Sequence, residues 1–300
     1  MSVSPVFDLP VPRQEQAAAR MQMEAIVNRL IVRAVGDYGM SPETAPVRAA
    51  SIMSLEDQDF RFALIDRLTG GLLEQPRRIL EIGCGSAPFL YSALRRGHDA
   101  QGIDVDYERI RIAELKIDAF GLPERFRGTA RLGDATALDV PAASFDLITS
   151  WAVIEHIPDL ESALFECVRV LRPGGFIVFT APDYRGGFEA HYEMPWPPMA
   201  PRSVCERWVM AMGRPPGGLG TFFPITYPRV AAALESLGCE IKAAELTLPI
   251  DHETTRLFLD VRDQASLERS ARTIKEMGAR GVLPPSLRGT TVFHVAARKL

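Results

Sequence analysis

From residue 78 onward, short apolar runs end in polar or glycine-bearing turns and are followed by apolar positions at helical spacing. This alternation predicts an α/β chain with a doubly wound, mostly parallel sheet. Strands are predicted over 79–82, 99–104, 129–132, 145–150 and 176–181, and helices over 87–96 and 107–120. Leu160, Ala163, Leu164, Cys167, Val168 and Leu171 fall on one face of a further helix. It begins at Pro158-Asp159 and is expected to stop at Pro173-Gly174-Gly175. After Pro182 the pattern breaks, and residues 188–228, dense in proline and aromatic side chains, read as an insertion. Regular alternation resumes with a helix over 227–237, a strand over 240–248, a helix over 265–277 and a last strand over 290–297. Residues 13–72 are mostly amphipathic helix and are expected to cap the site from the N-terminal side.

Composition narrows the function classes. With 300 residues, 47% hydrophobic and 24% charged, the chain can bury a full core as one large domain or as one domain with an elaborated lid. A net charge of -4 and no Lys/Arg-rich block argue against a nucleic-acid partner. Cys84, Cys167, Cys205 and Cys239 lack the close spacing of a zinc or redox pair, so free thiols in a reducing compartment are expected. Residues Met1 to Pro10 lack a basic region followed by an apolar core, and no stretch reaches the length of a membrane span. The expected location is cytoplasmic.

The run Arg78-Ile79-Leu80-Glu81-Ile82-Gly83-Cys84-Gly85-Ser86-Ala87-Pro88 reads as a buried strand breaking into a glycine turn. The helix after it would present its N-terminal amides to a ligand. A dinucleotide fingerprint needs a third glycine at the position held by Pro88, so that fingerprint fails. Asp104 lies about twenty residues beyond the turn, the spacing at which a carboxylate accepts ribose hydroxyls; its alternative is a strand-end cap. Asp106 suits the N-cap of the next helix. Gly133-Asp134-Ala135 follows the third strand, and an ordinary turn aspartate is the plain reading there.

Together with Phe145-Asp146-Leu147-Ile148-Thr149-Ser150-Trp151, Glu155-His156-Ile157 and Leu171-Arg172-Pro173-Gly174-Gly175, these motifs resemble the class I S-adenosylmethionine (SAM) dependent methyltransferases. The small-molecule branch with the ubiquinone and menaquinone enzymes is the most similar. The resemblance covers about residues 78–182. It implies a Rossmann-like methyltransferase fold of seven strands with an antiparallel last strand, and SAM as cofactor with S-adenosylhomocysteine as product. Implied cofactor residues are Glu81, facing the ammonium group, then Gly83, Cys84, Gly85, Asp104, Val105, Asp134 at the adenine amine, Ala135, Ser150 and Trp151. The family's usual third glycine is replaced by Ala87. Four segments are expected: a helical cap over 1–72, the SAM-binding core over 73–182, a lid or substrate insertion over 183–226, and the rest of the core sheet over 227–300.

The acceptor side is less explicit. Glu155, His156, His191, Tyr192 and Trp196 are candidates for binding the acceptor, with His156 or His191 as a general base. Asp251-His252 is a weaker candidate. Relatives that bind a divalent metal carry a further glutamate three residues ahead of the Glu-His pair; Ala152 stands there, so no metal is expected. The expected partners are a small-molecule acceptor and, optionally, a second copy of the chain, with no nucleic acid and no membrane span. Two other readings stay open: a nicotinamide-dependent oxidoreductase, and a SAM-binding protein without catalysis.

Overall fold

The computed structural model describes residues 13–40, 43–56, 58–248 and 250–300, so the reading made of Met1 to Pro10 lies outside the described residues. Helices α1 (Arg13–Tyr38), α2 (Thr44–Met53) and α3 (Asp59–Thr69) precede the sheet. The first half of the sheet comprises β1 (Arg78–Ile82), α4 (Pro88–Arg95), β2 (Asp99–Asp104), α5 (Tyr107–Phe120) and β3 (Ala130–Leu132). The second begins with β4 (Phe145–Trp151), α6 (Leu160–Val170) and β5 (Leu171–Pro182). The insertion folds as a hairpin, β6 (Phe188–Glu189) and β7 (Met194–Pro195), and a helix, α7 (Arg202–Ala211). The chain ends with α8 (Tyr227–Ser236), β8 (Cys239–Leu246), α9 (His252–Phe258), α10 (Gln264–Ala279) and β9 (Val292–Lys299).

Seven strands form one sheet in the order β3-β2-β1-β4-β5-β9-β8. The first five pair in parallel, and β9 enters antiparallel between β5 and β8. Strand order reverses between β1 and β4, and the crevice at their carboxyl ends is where an open α/β sheet takes its ligand. Side chains set the element boundaries: Asp106 caps α5 by accepting the amides of Glu108 and Arg109, and Gly121 ends that helix in the left-handed conformation. No described helix is long and apolar enough to cross a membrane.

Two expectations are corrected. Helix α6 stops at Val170, and Pro173-Gly174-Gly175 lies within β5, close to where the β4–β5 register shifts between Phe145 and Leu147. The proline and glycines therefore shape an irregular strand entry and not a helix stop. Helix α9 was not foreseen. Asp251 is its N-cap, accepting the amide of Thr254 at 2.9 Å and facing the Ser286 hydroxyl, while His252 is exposed, so that pair starts a helix and makes no site. The insertion shares the core of the sheet. Tyr184, Tyr192, Trp196, Trp208 and Phe222 belong to the same buried cluster as Ile148, Phe179 and Phe293 of the sheet. All four cysteines are buried and free.

Candidate active site

A cleft of about 820 Å³ opens at the carboxyl ends of β1, β2 and β4, within the size range of small-molecule sites. The turn after β1 forms its floor. Gly83 and Gly85 have φ of +68° and +56°, backbone that L side chains rarely adopt. A Cβ at Gly83 would also meet the Val153 side chain at 2.3 Å, whereas at Gly85 the nearest atom is 3.8 Å away. Ala87 shares the left-handed conformation at φ +63° while fully buried, so this alanine carries strain that a glycine would not.

Asp104, at the end of β2, braces this turn. Its Oδ2 accepts the Gly85 amide at 2.8 Å and its Oδ1 accepts the Asp106 amide at 2.8 Å. The plain strand-end role is thus real, and the carboxylate still lines the cleft. Exposed Val105 and buried Cys84 and Ala135 line it too. Asp134 also lies in the lining; its Oδ1 accepts both the amide and the hydroxyl of Thr136, each at 2.8 Å, in a side-chain turn.

The residue that sequence reasoning missed is Arg61 of α3. Its guanidinium lies 3.9 Å from the Glu81 carboxylate and 4.9 Å from the centre of the Trp151 ring. Both side chains line the cleft, yet Arg61 Nε and Glu81 Oε2 have no hydrogen-bond partner. Burial pushes the Glu81 carboxyl up to about 8 against the pull of Arg61, and burial lowers Arg61 in turn. The signal lay in spacing. Arg61 precedes the buried Ile65 and Leu68 by one and two helical turns, which puts a charge on an inward face.

At the other end of the cleft, Glu155 and His156 sit on a 3₁₀ turn (Ile154–His156), and His191 comes from the insertion. His156 lines the cleft. Its Nε2 lies 3.1 Å from His191 Nε2, and Glu155 Oε1 is 4.0 Å from the same His156 atom. His191 is sandwiched between the rings of Tyr38 and Phe222, and its Nδ1 bonds Glu189 Oε1 at 2.6 Å. Burial pulls His156 down to about 4, with His191 adding to the fall, and pushes Glu155 up to about 7.

Several expected site residues stand behind the wall. Ser150 is fully buried on β4, and its hydroxyl does not reach the cleft. Tyr192 and Trp196 are each 1% exposed and stack on one another inside the core, so their rings pack within the molecule and do not line the cleft. Glu155 is likewise sealed from solvent, and His191 is not in the cleft lining but touches His156 and Tyr38, which are. Trp151 does line the cleft, packed on Phe89. Tyr38, Ile52, Arg109 and Thr221 also line it, none of them singled out by the sequence.

Residues 80–179 match the profile of a methyltransferase domain. The ubiquinone biosynthesis O-methyltransferase of Paracidovorax citrulli is 34% identical over 107 residues, 35% of this chain and 44% of that protein. The enzyme of the same name from Alkalilimnicola ehrlichii is 30% identical over 120 residues, 40% of this chain and 47% of that one. The matched stretch spans less than half the length of either relative. Among solved structures, Haemonchus contortus phosphoethanolamine N-methyltransferase 2, in complex with phosphomonomethylethanolamine and S-adenosylhomocysteine, superposes with a TM-score of 0.52. It shares 16% identity over 86% of this chain and 57% of that one. A Pyrococcus horikoshii protein superposes with a TM-score of 0.50 at 15% identity, over 84% of this chain and 96% of that one. The fold is the Rossmann-like methyltransferase fold, and the chain resembles the class I SAM-dependent methyltransferases, the ubiquinone enzymes among them.

Proposed function

We propose that this protein transfers a methyl group from SAM to a nucleophilic O, N, S or C atom of a small-molecule acceptor. The carrying observation is the pair Arg61 and Glu81. Half-buried Arg61 and buried Glu81, a base and an acid, face one cleft, each with an atom lacking a hydrogen-bond partner. A buried polar atom left unpaired is costly, and a zwitterionic amino-acid group supplies a carboxylate for one and an ammonium for the other. The residues present therefore fit the methionine end of SAM. When bound, SAM supplies a methyl group already activated by its sulfonium.

The chain's own part is to bind, orient and exclude water. Glu81, Gly83, Cys84 and Gly85 with Arg61 hold the amino-acid end, Asp104 and Val105 the ribose, and Asp134 and Ala135 the base. Trp151 walls the site. Tyr38 and Ile52 of the N-terminal helices and Thr221 of the insertion also wall the cleft. The names of the ubiquinone relatives and of the worm enzyme support a small-molecule acceptor and not nucleic acid. The division of labour is a cap over 1–72, a cofactor core over 73–182, an acceptor-side insertion over 183–226 and the sheet's completion over 227–300. Four buried free thiols suit the cytoplasm, and the reading requires no second copy of the chain.

The test is affinity for S-adenosylhomocysteine by calorimetry. Arg61→Met and Glu81→Gln each remove a charged hydrogen-bonding partner and should weaken binding roughly tenfold to a hundredfold. Wild-type affinity in both variants would remove the ground for the assignment.

A further inference from the structure

We propose that the acceptor carries an acidic oxygen group, a carboxylate or a phosphate ester, and that Arg109 is the residue that recognises it. The inference rests on the methyl-transfer reading and names the substrate class of that same site.

Arg109 stands in the first turn of α5 and lines the cleft. Its guanidinium hangs over the glycine turn: Nη1 lies 3.8 Å from the place a Cβ would take on Gly85. Burial foremost and His191 next lower the His156 imidazole, and the Arg109 charge adds to the fall, so its field also reaches the acceptor end.

Nothing within the protein takes up that charge by hydrogen bonding. Among the described residues the guanidinium donates to no acceptor, and its ion pair with Asp106 Oδ2 spans 3.7 Å, outside hydrogen-bond reach. The nearby acids are committed elsewhere. Asp106 Oδ1 accepts the amides of Glu108 and Arg109, and the two Asp104 oxygens accept those of Gly85 and Asp106. Glu108 holds Arg29 at 2.9 Å and Arg33 at 3.1 Å, and Asp159 accepts the amide and hydroxyl of Ser162. Turning one of these aspartates onto Arg109 would leave backbone amides unpaired, so the arginine gains no partner that way.

Two arginines line the cleft, and they divide the work. Arg61 faces Glu81 and the methionine end of the cofactor, which leaves Arg109 as the cation for a second anion. A guanidinium presents a planar fork of N–H donors that matches a carboxylate or a phosphate, and such charge-assisted bonds are stronger than neutral ones. The lining away from the glycine turn is mostly apolar, with Tyr38, Ile52, Ile157 and Pro158 beside the hydroxyls of Ser51 and Thr221. An acceptor with an apolar body and one acidic group fits this lining. A cationic acceptor would be repelled by Arg109.

The test uses the full chain saturated with S-adenosylhomocysteine, so that the cofactor end is filled, with ionic strength held constant by KCl. Thermal unfolding is followed across concentration series of benzoate, phenyl phosphate, inorganic phosphate and neutral benzamide, which gives apparent affinities. Benzoate, phenyl phosphate or both should raise the midpoint, and benzamide should not; which of the two anions acts tells a carboxylate from a phosphate ester. Arg109→Met should weaken the effective anion about tenfold. Arg109→Lys keeps the charge but loses the fork, and should fall between Arg109→Met and the wild type. No response to either aryl anion, an equal response to benzamide, or an unchanged response in Arg109→Met overturns the proposal. So does a response to inorganic phosphate as large as that to the aryl anions, which would mark an ion held without the acceptor's body. A loss of S-adenosylhomocysteine affinity in Arg109→Met as large as that in Glu81→Gln would assign the arginine to the cofactor and overturn it as well. Failure of the wild type to bind S-adenosylhomocysteine would sink the methyl-transfer reading and this inference with it, whereas binding without an anion response sinks this inference alone.

Discussion

Gly83 and Gly85 look equivalent in the sequence but do different work. Both hold φ above +50°, yet only at Gly83 would a Cβ run into a neighbour, Val153 at 2.3 Å. Gly83→Ala combines left-handed strain with overpacking and should cost about 2–4 kcal/mol. Gly85→Ala meets only the strain, about 1–2 kcal/mol. Chemical denaturation separates the two, and equal losses would contradict the assignment of close packing to Gly83. At this scale the sequence was legible where a residue's role is local. The glycine turn, Asp104 and Asp134 follow directly on strand ends, so their position is set by the strand. Tyr192 and Trp196 were misplaced because a proline-rich stretch has no period to say which side faces inward. His156 and His191 could each be picked out, but not their pairing: they lie 35 residues apart in the chain, and only folding brings their Nε2 atoms to 3.1 Å.

Between elements, the N-terminal helices are tied to the glycine turn by Lys116 of α5, which is fully buried. Its amine donates to the Ser54 carbonyl at 2.8 Å, just past α2, and to Ser86 Oγ at 2.9 Å, while Ser86 Oγ donates to the Ile52 carbonyl at 2.9 Å. A neutral amine has two N–H groups, matching these two acceptors, and burial pulls Lys116 down to about 7 from its usual 10.5. Above pH 7 the folded state leaves this amine neutral while the unfolded chain still binds the proton. The unfolded state therefore holds more protons between pH 7 and 10.5, and stability rises with pH across that window. The thermal midpoint should climb from pH 7 to pH 9 more steeply in the wild type than in Lys116→Met; parallel profiles would contradict the neutral amine. The helices themselves were legible from their apolar spacing. The strap was not, since a lysine inside an amphipathic helix reads as solvent-facing until the packing of α2 is known.

For the molecule as a whole, alternation revealed the parallel strands, because most are short apolar runs separated from the next by a helix, and the family resemblance supplied the seven-stranded plan with its antiparallel last strand. Alternation could not reveal that the insertion shares the sheet's core, since its aromatics carry no regular spacing. The functional account rests on the cleft at the strand-order reversal, where glycine turn, acidic strand ends and the Arg61–Glu81 pair come together. Its central claim is that this cleft holds SAM and not a nicotinamide dinucleotide. Thermal unfolding of the intact chain with each candidate tests this most directly, since a ligand at 100 times its dissociation constant stabilises by about 2.7 kcal/mol. S-adenosylhomocysteine should raise the midpoint while NAD and NADP leave it unmoved. A rise with NAD or NADP and none with S-adenosylhomocysteine would contradict the account.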